Sequence, residues 1–149
     1  MKKIIAVAIL FVNFYAFSQI KVMEVKRLEK LGKVGSNGEN DLYVQKSGDE
    51  YTFFYKNIEN KELTSFRSFS FRDIDKDYEN LYTVITNGFF ATPLQDIKLE
   101  LPYDYVWLHF TKNIQQKVSV QFMTSNKVSF STGVSDLLSM EQIDKLFNR

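Results

Sequence analysis

In 149 residues the chain has no cysteine, one histidine, one tryptophan, two prolines and four arginines, and each scarcity excludes something. Without cysteine there can be no disulfide, zinc-thiolate site, thiol nucleophile or lipid-anchoring lipobox cysteine, so stability has to come from packing. With His109 as the sole histidine, a histidine-rich metal site is ruled out and any Ser/His/Asp triad would have to be built around that residue. No Gly-x-Ser-x-Gly elbow, no Gly-x-x-x-x-Gly-Lys phosphate cradle and no dinucleotide fingerprint occurs. Charge is also nearly balanced, at a formal +1, and arginine is confined to Arg27, Arg67, Arg72 and Arg149. Binding of nucleic acid or of an anionic membrane needs a clustered positive excess, and these counts argue against both as the main partner.

Long apolar runs are missing apart from one. Met1-Lys2-Lys3 is followed by Ile4 to Phe17, and Ala16-Phe17-Ser18 precedes Gln19. A short basic start, a brief apolar stretch and small residues one and three positions before a cut are the parts of a secretory signal peptide. Fourteen helical residues reach roughly 21 Å, short of the roughly 30 Å hydrocarbon core. The expectation is a signal peptide over 1–18, no membrane span after its cleavage, and export to the periplasm or the extracellular medium of a bacterium. Residues 19–149 then form one domain in which 17 basic face 18 acidic side chains. Such a length buries about two thirds of its unfolded surface, enough for a single core.

Aromatic rings are what the sequence has in quantity: 14 Phe, 8 Tyr and 1 Trp. Rings alternating with polar residues suit half-buried strands. Val22, Val25, Leu28 and Leu31 fit a helical stripe, whereas Lys21 to Val25 fits a short strand, which is preferred; Gly32 to Asp41 reads as a loop. Leu42–Lys46 and Tyr51–Lys56 form a hairpin across Ser47-Gly48-Asp49-Glu50, and Thr64–Arg72 adds a third strand. Ile74, Tyr78, Leu81, Tyr82 and Ile85 share one helical face, with Asp73, Asp75 and Asp77 at the start and Asn87-Gly88 as the stop. Ile97–Leu101, Tyr105–Phe110 and Val118–Met123 alternate, and Ser125-Asn126 is expected to turn the chain into a last strand through Val128 and Phe130. Ser139 with Gln142 at N3 matches a capping box opening a short helix with Met140, Ile143, Leu146 and Phe147 as its stripe.

The expected fold is α+β: one antiparallel sheet of about six to seven strands, in the order hairpin, strand, helix, meander, helix, with two helices on one face. Tyr51, Phe53, Phe69, Phe71, Leu99, Val106, Leu108, Phe110, Val120 and Phe122 point at the helices. The other face, carrying Thr52, Phe54, Arg72, Lys98, Glu100, Trp107, His109, Gln121 and Met123 among others, is left to water as an antiparallel sheet allows.

Chemistry-bearing clusters are few. Asp73-x-Asp75-x-Asp77 lacks the glycine and glutamate of a calcium loop, since Tyr78 and Val84 stand at those places, and reads as helix capping. Asn37, Glu39 and Asp41 in a glycine loop offer calcium-type oxygens, but such spacing is common in solvated loops. No metal and no cofactor is implied. His109 reads first as a structural or solvent-facing histidine. What remains is Tyr105, Trp107 and His109 on one face of a strand, beside Gln121 and with Arg72 on the same expected face, as a candidate ligand-binding surface. The ordinary expectation for so many rings is that Ile20 to Val34 lies across them and buries them. The functional expectation is a non-catalytic module that binds a protein, glycan or peptide. A second reading is an inhibitor or immunity-type protein acting through a loop such as Gly32–Asp41 or a sheet edge; a third is a small hydrolase using His109.

Overall fold

The computed structural model describes residues 25–35, 41–59 and 64–149. Among these residues the chain runs β1 (Leu28–Val34), β2 (Leu42–Ser47), β3 (Glu50–Asn57), β4 (Ser65–Arg72), α1 (Asp77–Ala91), β5 (Ile97–Glu100), β6 (Asp104–Lys112), β7 (Val118–Asn126), β8 (Thr132–Val134) and α2 (Met140–Leu146). The class is α+β, but the strands form two sheets rather than one. β1-β2-β3-β4 make a first antiparallel sheet and β5-β6-β7-β8 a second, each in sequence order. The expectation of a single six- to seven-stranded sheet is thereby corrected. Alternation reveals which face of a strand is buried and is silent on which strands share a ladder. After β4 the chain leaves the first sheet through α1, and β5 opens a new ladder.

Local chemistry explains most of the elements. Ser47 pairs with Glu50 across the two-residue turn Gly48-Asp49, whose first member has φ 64°, a conformation that favours glycine. At the start of α1 the Asp73 carboxylate accepts a hydrogen bond from the Tyr78 amide at 3.0 Å, so one of the three aspartates caps as expected. Ile74 lies outside the helix and is exposed. The helix does not stop at Asn87-Gly88; it continues to Ala91 and closes on Thr92, whose amide donates to the Gly88 carbonyl at 2.8 Å. Gly88 is there for space. A Cβ on it would stand 2.1 Å from the Phe110 ring, so glycine lets α1 lie directly on β6. The capping box of α2 is present: the Gln142 amide donates to the Ser139 hydroxyl, and the Ser139 amide donates to the Gln142 side chain.

Two strands fall elsewhere than expected. β1 takes in Gly32, Lys33 and Val34, which composition assigns to a loop; Val25 precedes it, and residues 21–24 lie outside the described residues. β7 continues through Ser125 and Asn126, and the last strand of the meander comes later, at Thr132–Val134. Val128 and Phe130 sit in the turn between them, exposed. Asn126 causes the shift, since its side-chain oxygen accepts from the amides of Val128 and Ser129 at 3.0 and 2.9 Å and builds a turn stronger than the local β pattern.

The core lies where the inner faces of the two sheets meet the helices. Of the ten inward side chains expected, nine are buried, and Leu99 on edge strand β5 is half-buried. Phe53 stacks on Phe69 at 5.0 Å, and Phe69 meets Phe122 edge-on at 5.8 Å, carrying ring packing from the first sheet into the second. Each helix covers mainly one sheet: α1 rests on β6 and β7, α2 on β1 and β2. They meet through Tyr78 and Phe147, at 4.9 Å, and through the Tyr82 hydroxyl, which donates to Asp144 at 2.8 Å. Polar stitches join the sheets: the Asn57 side chain accepts from the Val134 amide at 2.9 Å, the Ile58 amide donates to the Val134 carbonyl at 2.9 Å, and the hydroxyls of Tyr55 and Thr124 are hydrogen-bonded.

Candidate functional site

β6 places its residues alternately in the core and on the outer face of the second sheet. Val106 and Leu108 are fully buried; Tyr105, Trp107 and His109 are half-buried on the opposite side. The register sets their neighbours, with His109 opposite Gln121, Trp107 opposite Met123 and Tyr105 opposite Ser125 on β7, and with Lys98 opposite Trp107 and Glu100 opposite Tyr105 on β5. Four of the five residues singled out from the sequence are thus together. Arg72 is not among them. It ends β4 in the other sheet and lines a groove with Phe71, Leu81, Lys98 and Leu101, a placement that follows from there being two sheets.

The covering segment is absent over its described part. β1 pairs with β2 in the first sheet, so Leu28 to Val34 does not cross Trp107; residues 20–24 lie outside the described residues. Partial cover comes instead from side chains of the same face. The Lys98 ammonium stands 4.0 Å from the Tyr105 ring centre and 5.3 Å from that of Trp107, and the Lys127 ammonium stands 4.8 Å from Tyr105. Lys127 also holds Glu100 at 2.9 Å, and that hydrogen bond, followed by its charge, lowers the Glu100 carboxyl below its ordinary range. Tyr105 is therefore engaged by two cations, while Trp107, tilted 50° to it at 6.0 Å, is approached by a cation among the described residues only at the longer distance of Lys98.

Trp107 and Met123 border a shallow concavity of about 420 Å³, rimmed by Glu59, Asp96, Ser125 and Thr132. The Thr132 hydroxyl donates to Glu59 at 3.2 Å, and Asp96 meets His109 Nδ1 at 2.6 Å, with the histidine side chain 41% exposed. This pair fixes the imidazole and leaves Nε2 with no hydrogen-bond partner among the described residues. No hydroxyl among those residues bonds to the imidazole, so the contact between nucleophile and base that hydrolysis by a triad requires is missing from this arrangement. Gln121 is half structural, since its amide donates to the Ser135 carbonyl at 2.8 Å.

Sequence reasoning missed Glu59, Asp96 and Thr132. Each comes from a loop or a short edge strand, where no periodicity reports the facing direction. Asp96 carried the only signal, an acid just before a strand that pairs with the strand of the sole histidine. No group of three metal-type side chains occurs among the described residues, and none of their helices is long and apolar enough to cross a membrane. No family model matches the chain, and no curated protein or solved structure matches it either.

Proposed function

We propose that the chain is an exported, non-catalytic binding domain that holds a neutral sugar chain on the outer face of its second sheet. The observation that carries this reading is Trp107, half-open beside a concavity whose rim is carboxylate and hydroxyl. An indole face offers an apolar platform for the C–H side of a pyranose. Sugar hydroxyls need acceptors around that platform, and a carboxylate has about four lone-pair sites. Glu59 and Asp96 each spend acceptor capacity on one internal partner, Thr132 and His109, and keep the rest. Calorimetry with neutral hexasaccharides of glucose, xylose and mannose tests the proposal. Binding that is insensitive to salt and lost in Trp107→Ala supports it; no heat with any of the three sinks it. Export is tested separately: mass spectrometry of the secreted or periplasmic protein should find Gln19 at the amino terminus.

One observation favours the inhibitor reading as second. The β7–β8 turn displays Val128 and Phe130 outward on a frame of hydrogen bonds, and Phe130 has φ 55°, a costly conformation for a ring-bearing residue. A preorganised apolar tip of this kind suits insertion into a partner's cleft. Stoichiometric capture of one protein, lost in Phe130→Ser, would favour this reading over the sugar site.

A further inference from the structure

The first sheet carries a second concavity, on its own outer face. Tyr43 of β2 stacks on Phe54 of β3 at 4.9 Å and lies 6.3 Å from Phe66 of β4, and Phe66 is 46% exposed. Two rows of the ladder end in a lysine of β1, with Lys33 opposite Tyr43 and Lys30 opposite Gln45. These rows are two β2 residues apart, roughly 7 Å. The space above them is about 470 Å³, within the range of small-ligand sites.

A bulge shapes this hollow. Lys30 pairs with Gln45 and Lys33 with Tyr43, so Leu31 and Gly32 together stand opposite Val44. The cause is α2, because a Cβ on Gly32 would stand 1.9 Å from the Leu146 carbonyl oxygen; the helix end presses on the strand at that point. The extra residue interrupts the ladder and bends β1, as bulges do beside binding sites.

Charge decides what the hollow accepts. Lys30 and Lys33 are exposed and make no ion pair with any described residue, and the other charged side chains bordering the hollow are Asp41 and Lys56, one of each sign. A net positive rim beside aromatic carbon selects a ligand that is anionic and carries a ring. We infer that this face binds an acidic sugar chain, with uronate carboxylates at Lys30 and Lys33 and a sugar ring against Phe66. An acidic peptide fits less well. A peptide gains affinity by pairing its main chain with a free sheet edge, and this hollow lies over the face of the ladder, where side chains have to do the recognising. Gln45 and Thr64, which also border it, supply the donors and acceptors that hydroxyls require.

The test is calorimetry at low ionic strength with tetragalacturonate, tetramannuronate, the methyl ester of each, and a hexaglutamate peptide as control. At least one of the acids should bind, weaken as salt is raised, and lose about tenfold in affinity in the Lys30→Gln/Lys33→Gln double variant, the combined effect of two exposed ion pairs. Its methyl ester should weaken similarly, Phe66→Ala should remove binding, and Trp107→Ala should leave it intact, which separates this site from the one on the second sheet. Absence of binding by both acids, an unchanged affinity in the double lysine variant, or equal affinity for hexaglutamate would overturn the inference.

Discussion

The outer faces of the two sheets are made of similar residues used differently. On the second sheet the lysines are spent internally: Lys98 lies on Tyr105 and Trp107, and Lys127 is shared between Tyr105 and Glu100. The acids Asp96 and Glu59 remain at the rim. On the first sheet it is the rings that satisfy one another, Tyr43 against Phe54, and the lysines Lys30 and Lys33 that stay without an ionic partner among the described residues. Counting aromatic and basic side chains would call these surfaces alike. Their partners make one a neutral, hydroxyl-reading face and the other a cationic one, because a charge already held by a ring or a carboxylate has little left for a ligand.

Several substitutions can break that contrast, and the largest effect should come from the joint between the sheets. Phe69 is buried between Phe53 and Phe122, so Phe69→Ala should cost about 3 to 5 kcal/mol. In a denaturant titration both sheets should melt together at a lower midpoint; a variant that lost only one transition would mean the faces belong to independent units. Gly88→Ala comes next. The methyl group would meet the Phe110 ring, and forcing α1 off β6 should cost roughly 1 to 3 kcal/mol, read as a lower Tm of the transition the two sheets share.

Two buried tyrosines should respond in opposite directions to loss of their hydroxyl. Tyr55 bonds to Thr124 across the sheets, so Tyr55→Phe strands the threonine hydroxyl at a cost of about 1 to 3 kcal/mol. The Tyr78 hydroxyl is buried with no hydrogen-bond partner among the described residues, so Tyr78→Phe should be neutral or stabilising by up to about 1 kcal/mol. Burial pushes both phenols up to about 12. For an acid whose folded value exceeds its unfolded one, stability is intact below the unfolded value and declines above it. Wild-type stability should therefore fall as pH rises from about 10 to about 12, a decline that Tyr78→Phe should make shallower in urea melts at each pH. The smallest effect is expected from Glu100→Gln. It releases the half-buried Lys127 from an exposed carboxylate, should change stability by less than about 1 kcal/mol, and should give the second face a salt-dependent affinity for anions that it otherwise lacks.

Much of the fold was legible in the sequence because burial writes itself into alternation. The inward residues of β3, β4, β6 and β7, the hairpin at Gly48 and the capping box at Ser139 follow from period and turn chemistry alone. The division into two sheets does not, since Phe69 and Phe122 show the same alternation whether their strands share a ladder or face each other. Gly32 and Gly88 misled for one reason: glycine marks a loop or a stop and marks a close approach equally well, and only the neighbours, Leu146 and Phe110, decide which. Of the candidate site, Tyr105, Trp107, His109 and Gln121 were found because they lie on adjacent regular strands. Arg72 was assigned to that face only through the single-sheet assumption. Glu59, Asp96 and Thr132 arrive from loops and a three-residue strand, and Lys30 and Lys33 gain their meaning from a bulge that depends on a helix more than a hundred residues later.

The most direct test of the Trp107 site uses the fluorescence of that single tryptophan, with and without the neutral hexasaccharides. A half-open indole should show an intermediate emission maximum and measurable acrylamide quenching, and the sugar that binds should shift the emission to the blue and protect it from the quencher. Emission that is already blue and unquenched in the free protein, or an open indole that no sugar protects, would contradict the assignment of this face as the binding site.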